Sequence, residues 1–184
     1  MNRGASRVIS ATVWSVTAVL GVTFGWTTRL GTRWPSVYYM TGASMEPTIA
    51  AERYFLAWSP PGALERGDLV IFRFEDQDGV FNVLRRLVAL GGDTVTMERG
   101  IAIVNGVRQP WGFRIIEQAA WRSAMARGGD LYDWGPWIVP RDSLMLLADT
   151  RDIIGWPDSR FIGFVGPADI LARATRTVRG RRLR

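Results

Sequence analysis

The 184-residue chain has 23 basic and 17 acidic side chains, a formal net charge of +6, and 47% hydrophobic against 22% charged residues, which excludes a wholly disordered polypeptide. Every basic residue is an arginine; the absence of lysine, histidine and cysteine excludes disulfides, zinc-thiolate sites, cysteine nucleophiles and imidazole or amine bases. The length suits one domain with attached segments, since single cores usually occupy about 100 to 150 residues, and no cofactor or metal is expected.

From Val8 to Trp26 there are 19 residues without a charge, between Arg3 and Arg7 on one side and Arg29 and Arg33 on the other. At about 1.5 Å per residue this run is long enough to span a bilayer core. A cleaved secretory signal is the competing reading, but Phe24-Gly25-Trp26-Thr27 offers no small-x-small site, and a terminal Trp suits a membrane interface. An uncleaved anchor, residues 1–33 with a helix over about 8–26, is therefore expected. Two arginines flank each end, so charge alone leaves its orientation open. With this segment present, the basic balance is better matched to anionic lipid than to nucleic acid, for which no motif is recognisable.

Beyond the anchor, short apolar runs punctuated by turn residues predict a mainly β domain. Strands are expected over Val37 to Met40, Tyr54 to Trp58 and Leu69 to Phe74, and Glu75 to Gly79 reads as a hairpin loop returning along Val80 to Ala89. Thr94 to Met97 follows the Leu90-Gly91-Gly92-Asp93 break. Asn105-Gly106 between Ile101–Val104 and Val107–Gln109 is the sharpest local signal, because Asn-Gly supplies the positive φ angles of a tight hairpin. Residues 110–139 read as an aromatic-rich insertion with a helix-like stretch from Ile115 to Ala126, its tryptophans filling either a small core or a membrane interface. Strands resume at Leu144 to Ala148 and Phe161 to Val165. Residues 175–184 are expected to be a basic tail, either solvated or touching lipid.

Ser44 lies in Thr41-Gly42-Ala43-Ser44-Met45-Glu46-Pro47-Thr48, where small residues permit a tight turn and Pro47 fixes the chain beyond it. A serine between small residues is by itself no more than a loop serine. Its chain order with Gly67-Asp68-Leu69-Val70, Arg85-Arg86-Leu87-Val88, Gly91-Gly92-Asp93-Thr94 and Ala148-Asp149-Thr150-Arg151-Asp152, then Asp158-Ser159-Arg160, is more specific. Together these blocks resemble the bacterial signal peptidase I family.

That resemblance implies a membrane-bound serine endopeptidase of mixed β-fold, its catalytic domain over 34–109 and 140–174. It would remove signal peptides with small residues near the cut from exported proteins. It implies a single-pass protein of the cytoplasmic membrane, N-terminus inside and β-domain on the outer face. It assigns the nucleophile to Ser44 and the edges that grip an extended peptide to Tyr39 and Met40 and to Val83 and Leu84.

The family's general-base lysine position falls on Arg85, and a guanidinium stays charged in proteins and cannot act as a base. The family's supporting serine is also missing, because Ile153 to Pro157 separate Arg151-Asp152 from Asp158-Ser159-Arg160. Asp149, Arg151, Asp158 and Arg160 are expected to brace the site through ion pairs and turn hydrogen bonds. Asp149 and Asp152 are the carboxylates nearest to a replacement base. The expected function is a signal peptidase I-like enzyme. The alternatives are a catalytically impaired homologue that binds signal peptides or a partner, and a specialised peptidase for one exported or pilus-type substrate.

Overall fold

The computed structural model describes residues 34–115, 130–151, 157–177 and 183. The expected anchor helix, the helix-like stretch beyond Ile115, Trp121 and Asp152 lie outside the described residues. Among the described residues no helix is long and apolar enough to cross a membrane.

Among the described residues ten strands form two sheets: β1 (Trp34–Met40), β2 (Arg53–Ser59), β3 (Leu69–Asp76), β4 (Gly79–Leu90), β5 (Thr94–Glu98), β6 (Ile101–Val104), β7 (Val107–Arg108), β8 (Trp134–Ile138), β9 (Leu144–Leu147) and β10 (Ile170–Thr177). The larger sheet has the order β1-β2-β10-β3-β4-β9 and the smaller the order β7-β6-β5-β8. The alternation of side chains along a strand explains the cores. In β3, Leu69 and Ile71 join Met40, Met45, Phe55 and Leu84 on one face, while Val70 and Phe72 join Val83, Leu87 and Leu146 on the other. A further cluster of Val88, Val95, Met97, Val104, Trp134 and Met145 draws on strands of both sheets.

The two hairpins follow from their turn residues. Asn105 and Gly106 take φ values of 52° and 80° and join β6 to β7, as a two-residue hairpin with the Asn-Gly dipeptide requires. The β3–β4 loop is tighter than expected: pairing continues to Asp76 and Gly79, leaving only Gln77 and Asp78 unpaired. Register across this hairpin sets Arg85 opposite Val70 and Arg86 opposite Leu69.

Three expectations need correction. Phe161 to Val165 is not a strand: a short helix, α1 (Ser159–Ile162), is capped by Asp158, which accepts from the Arg160 N–H, and ends at Gly163 with φ 86°. Asp158 and Ser159 directly after Pro157 are good helix starters, and that local chemistry prevails over the apolar run. Residues 175–177, read as the start of the tail, belong to β10, which pairs with both β2 and β3. Ala172 and Ala174 are buried there, while Arg173 reaches the Ala63 carbonyl and Asp68. Finally, residues 134–138 of the aromatic stretch are integral to the smaller sheet, where β8 pairs with β5. Gly135 is required there: at φ 106° its Cβ would lie 2.7 Å from the Val95 carbonyl oxygen. Trp134 stacks on Trp137 at 4.3 Å between centroids, and Trp134 is buried in the core.

Candidate active site

Ser44 opens a tight turn directly after β1. The Glu46 N–H donates to the Ala43 carbonyl at 3.1 Å and the Ile49 N–H to the Met45 carbonyl at 2.8 Å, and the Glu46–Pro47 peptide is cis. Met45 is wholly buried in the core beneath the turn, a burial that stabilises it by roughly 1.5–3 kcal/mol. A second tie comes from Thr150, whose N–H donates to the Ser44 carbonyl at 3.0 Å and whose hydroxyl donates to the Ala43 carbonyl at 2.7 Å. Ser44 is consequently held with 4% of its surface exposed. Gly42 faces open space, so a side chain there would meet nothing within 4 Å.

Arg85 lies in the buried half of β4, 1% exposed. Its Nη1 donates to Ser44 Oγ at 3.1 Å and to the Leu84 carbonyl at 2.5 Å, and its Nε donates to the Pro157 carbonyl at 2.9 Å. Its Nη2 is buried without a hydrogen-bond partner among the described residues. Desolvation brings this guanidinium down to about 10, opposed by the charge of Asp158 and reinforced by that of Arg160. At neutral pH it is a cation and a donor, and Ser44 Oγ is the acceptor.

Asp149, one of the two candidate bases, and the buried Asp158 are both engaged by arginines. Asp149 receives both prongs of the Arg86 fork, Nε at 2.8 Å and Nη2 at 2.6 Å, and the Thr48 hydroxyl at 2.5 Å. Arg86 also donates to Thr48 Oγ1 and to the Gly67 carbonyl, each at 2.8 Å, and lies over the Trp111 ring. Asp158 binds Arg160 Nη2 at 2.7 Å and accepts from the Ala148 N–H at 3.1 Å. Burial alone would push the Asp158 carboxyl up, but the charge and hydrogen bond of Arg160, with Arg85 and the Ala148 N–H, hold it below the ordinary carboxylate range. Arg151 donates to the Gly100 and Ala148 carbonyls, and burial lowers it to about 10. Ser159 Oγ is taken by the Leu146 N–H at 2.9 Å.

Sequence reasoning missed Arg86, Thr48 and Thr150, which hold Asp149 and the nucleophile turn. Arg86 shows only as the second member of an arginine doublet. Thr150 was inside a motif block without an assigned role. Thr48 closes the Ser44 motif but gave no signal of its long-range partner.

A cavity of about 420 Å³ opens beside Ser44 and Arg85, lined by Tyr39, Met40, Val83 and Leu84 among others. Its walls come from two strands whose edges are unpaired among the described residues. β1 ends the larger sheet, and β4 meets β9 only over Arg86 to Leu90, so its stretch from Phe81 to Arg85 pairs with β3 alone. Tyr39 is half exposed and Met40, Val83 and Leu84 are buried. Such edges can hydrogen-bond an added extended peptide, with apolar hollows for alternate side chains. No cluster of three or more metal-ligating side chains of the His, Cys, Asp or Glu type occurs among the described residues.

Comparison with known proteins places the chain in a family. The model of the signal peptidase family, peptidase S26, matches residues 9–178. A signal peptidase I of Leptolyngbya laminosa is 30% identical over 148 residues, 74% of this chain and 64% of that protein. Signal peptidase I P of Bacillus subtilis subsp. natto is 31% identical over 119 residues, 62% of this chain and 61% of that protein. A probable signal peptidase I-2 of Synechocystis is 29% identical over 143 residues, 74% of this chain and 59% of that protein. The chain thus spans about six-tenths of the length of these relatives, 59–64%. A signal peptidase I structure from Enterococcus faecalis V583 aligns with 62% of this chain and 99% of its own at 21% identity, with a TM-score of 0.45.

Proposed function

This chain belongs to the signal peptidase family, peptidase S26, and on that footing we propose that it is a signal peptidase I-like serine endopeptidase whose nucleophile is Ser44 and whose turnover is held low by Arg85. The substrate is the signal peptide of an exported protein, laid as an extended strand between the β1 and β4 edges with small side chains near the cut. The observation that carries the reading is the 3.1 Å hydrogen bond from Arg85 Nη1 to Ser44 Oγ beside that groove.

Attack by Ser44 forms a bond from Oγ to the scissile carbonyl carbon and requires the hydroxyl proton to leave. The guanidinium favours negative charge on Oγ but cannot take the proton, so the proton passes to hydroxide from the solvent. A positioned general base typically contributes about 10²- to 10⁴-fold, and that factor is what the arginine forfeits. The second reading, a homologue that binds signal peptides without cutting, is favoured by the engagement of Asp149 with Arg86 and of Asp158 with Arg160. In both readings the run over 8–26 anchors the chain in the cytoplasmic membrane with the β-domain on the outer face.

The two readings part in an assay of the full chain in detergent with a precursor carrying an Ala-x-Ala site. Slow processing that disappears in Ser44→Ala supports the peptidase. No processing at enzyme excess, with the precursor bound, supports the binding protein.

A further inference from the structure

We propose that Ser44 and Arg85 together hold a free carboxylate, so that the preferred occupant of the groove is a peptide that ends there, with a small last residue, and not a chain that continues past Ser44. This inference rests on the peptide-groove reading above and adds to it the chemical class of the end group.

Hydrogen-bond polarity is the first support. Because Arg85 has no acceptor, Ser44 Oγ accepts from Nη1, and the serine's own hydrogen is left to donate elsewhere. The other terminal nitrogen, Nη2, is buried with no partner among the described residues. Among the described residues, then, the donors this pair leaves without an acceptor are the hydroxyl of Ser44 and the buried Nη2, and the pair carries the full charge of Arg85. A buried donor without an acceptor is unfavourable, and a ligand that supplies acceptors relieves it.

Charge is the second. Four buried arginines, Arg85, Arg86, Arg151 and Arg160, accompany two buried aspartates, Asp149 and Asp158, among the described residues of this cluster. Arg86 and Arg160 take the two aspartates, and Arg151 is turned to the Gly100 and Ala148 carbonyls. Among the described residues Arg85 and Arg151 are thus left without an anion, and of the two it is Arg85 that lines the cavity. Its value of about 10 keeps it charged at neutral pH.

Ligand chemistry is the third. An internal peptide carbonyl offers one neutral oxygen, whereas a terminal carboxylate offers two oxygens and a charge, an acceptor for the Ser44 hydroxyl and an anion for the guanidinium beside it. Charge-assisted bonds of this kind are the strong ones, and arginine is suited to carboxylates. The free edges of β1 and β4 would then pair with the chain leading up to that end. A signal peptide already severed fits this description, and such a site retains it.

The test uses the full chain in detergent and three fluorescent peptides of one signal-peptide sequence: ending at Ala as the free acid, ending at Ala as the amide, and extended by several residues beyond Ala. Fluorescence anisotropy gives the affinities. The free acid is expected to bind about tenfold or more tightly than the amide and the extended peptide, the ratio appropriate to a hydrogen bond to a charged group. Arg85→Gln should bring the acid-to-amide ratio close to one, with amide affinity little changed. Ser44→Ala, which removes one hydroxyl and leaves the Arg85 anchor bonds in place, should lower the ratio severalfold and covers the case in which Arg85→Gln does not fold. Equal binding of acid and amide by the wild type overturns the carboxylate proposal and leaves the groove reading standing. A ratio that survives in folded variants overturns it too. No binding of any of the three removes the groove reading, and the proposal with it.

Discussion

Arg85→Lys is the most informative single substitution. The lysine stem follows the arginine stem, and its Nζ falls one bond short of the present Nη1, within a small adjustment of Ser44 Oγ. The bond from Nε to the Pro157 carbonyl is lost, while the ammonium can still reach the Leu84 carbonyl. The desolvation that lowers Arg85 to about 10 falls at least as heavily on an ammonium, which is the more strongly hydrated ion. An ordinary lysine loses its proton at about 10.4, and the same burial lowers it toward neutrality, populating neutral amine. A base beside Ser44 then becomes available where none stands now, and cleavage should rise by about 10²-fold or more. The assay is single-turnover processing of an Ala-x-Ala precursor by wild type and variant between pH 7 and 9, each checked for an unchanged melting transition. A folded Arg85→Lys protein that cuts no faster than the wild type refutes the reasoning and moves the defect to the segment between Asp152 and Pro157.

Asp149→Asn should destabilise the domain by about 3–5 kcal/mol, because it leaves the fully buried Arg86 without its anion, and denaturant unfolding reads this directly. Gly91→Ala should destabilise strongly, by about 1–3 kcal/mol or more, since its Cβ would lie 1.9 Å from the Arg141 carbonyl oxygen; Gly42→Ala, facing open space, should stay within about 0.5 kcal/mol. The hydrogen bond from Arg66 is the main cause holding the Asp93 carboxyl below its ordinary value, assisted by the Leu90 N–H and Asn105 against the opposing pull of burial. The folded state therefore binds that proton less readily than the unfolded chain, so the stabilisation is present above the ordinary carboxylate range and is lost as pH falls through the folded value. Melting temperatures taken from pH 5 down to pH 2 should fall less steeply in Asp93→Asn than in the wild type.

Where local chemistry acts alone, the sequence announced the structure. Asn105-Gly106 makes its hairpin, and the small residues before Ser44 make a tight turn with Met45 sunk beneath it. In the sequence Arg85 and Ser44 are linked only through the order of the motif blocks, and the fold brings them to hydrogen-bond distance. Long-range partners were the blind spot. Nothing near Arg86 tells that it will meet Asp149, because that pairing depends on the register of β4 against β9. β10 was overlooked because its arginines drew attention to charge, although Ala172 and Ala174 alternate with Leu171 and Arg173 in the period of a strand. Phe161 to Val165 went the other way: an apolar run suggested a strand, while Asp158 and Ser159 had already supplied a helix start. The engagement of Asp149 also qualifies its standing as a substitute base, since its oxygens accept from Arg86 and Thr48.

The central claim is that a signal peptide occupies the groove between β1 and β4 with its small residues beside Ser44. Phe81, on the cavity wall and partly exposed, is a suitable place for a photo-crosslinking residue in the full chain. Irradiated with an exported precursor, this protein should form adducts that map to the residues next to the cleavage site and that disappear when the small residues there are replaced by bulky ones. Absence of adducts, or adducts scattered over the mature part of the precursor, would contradict the account.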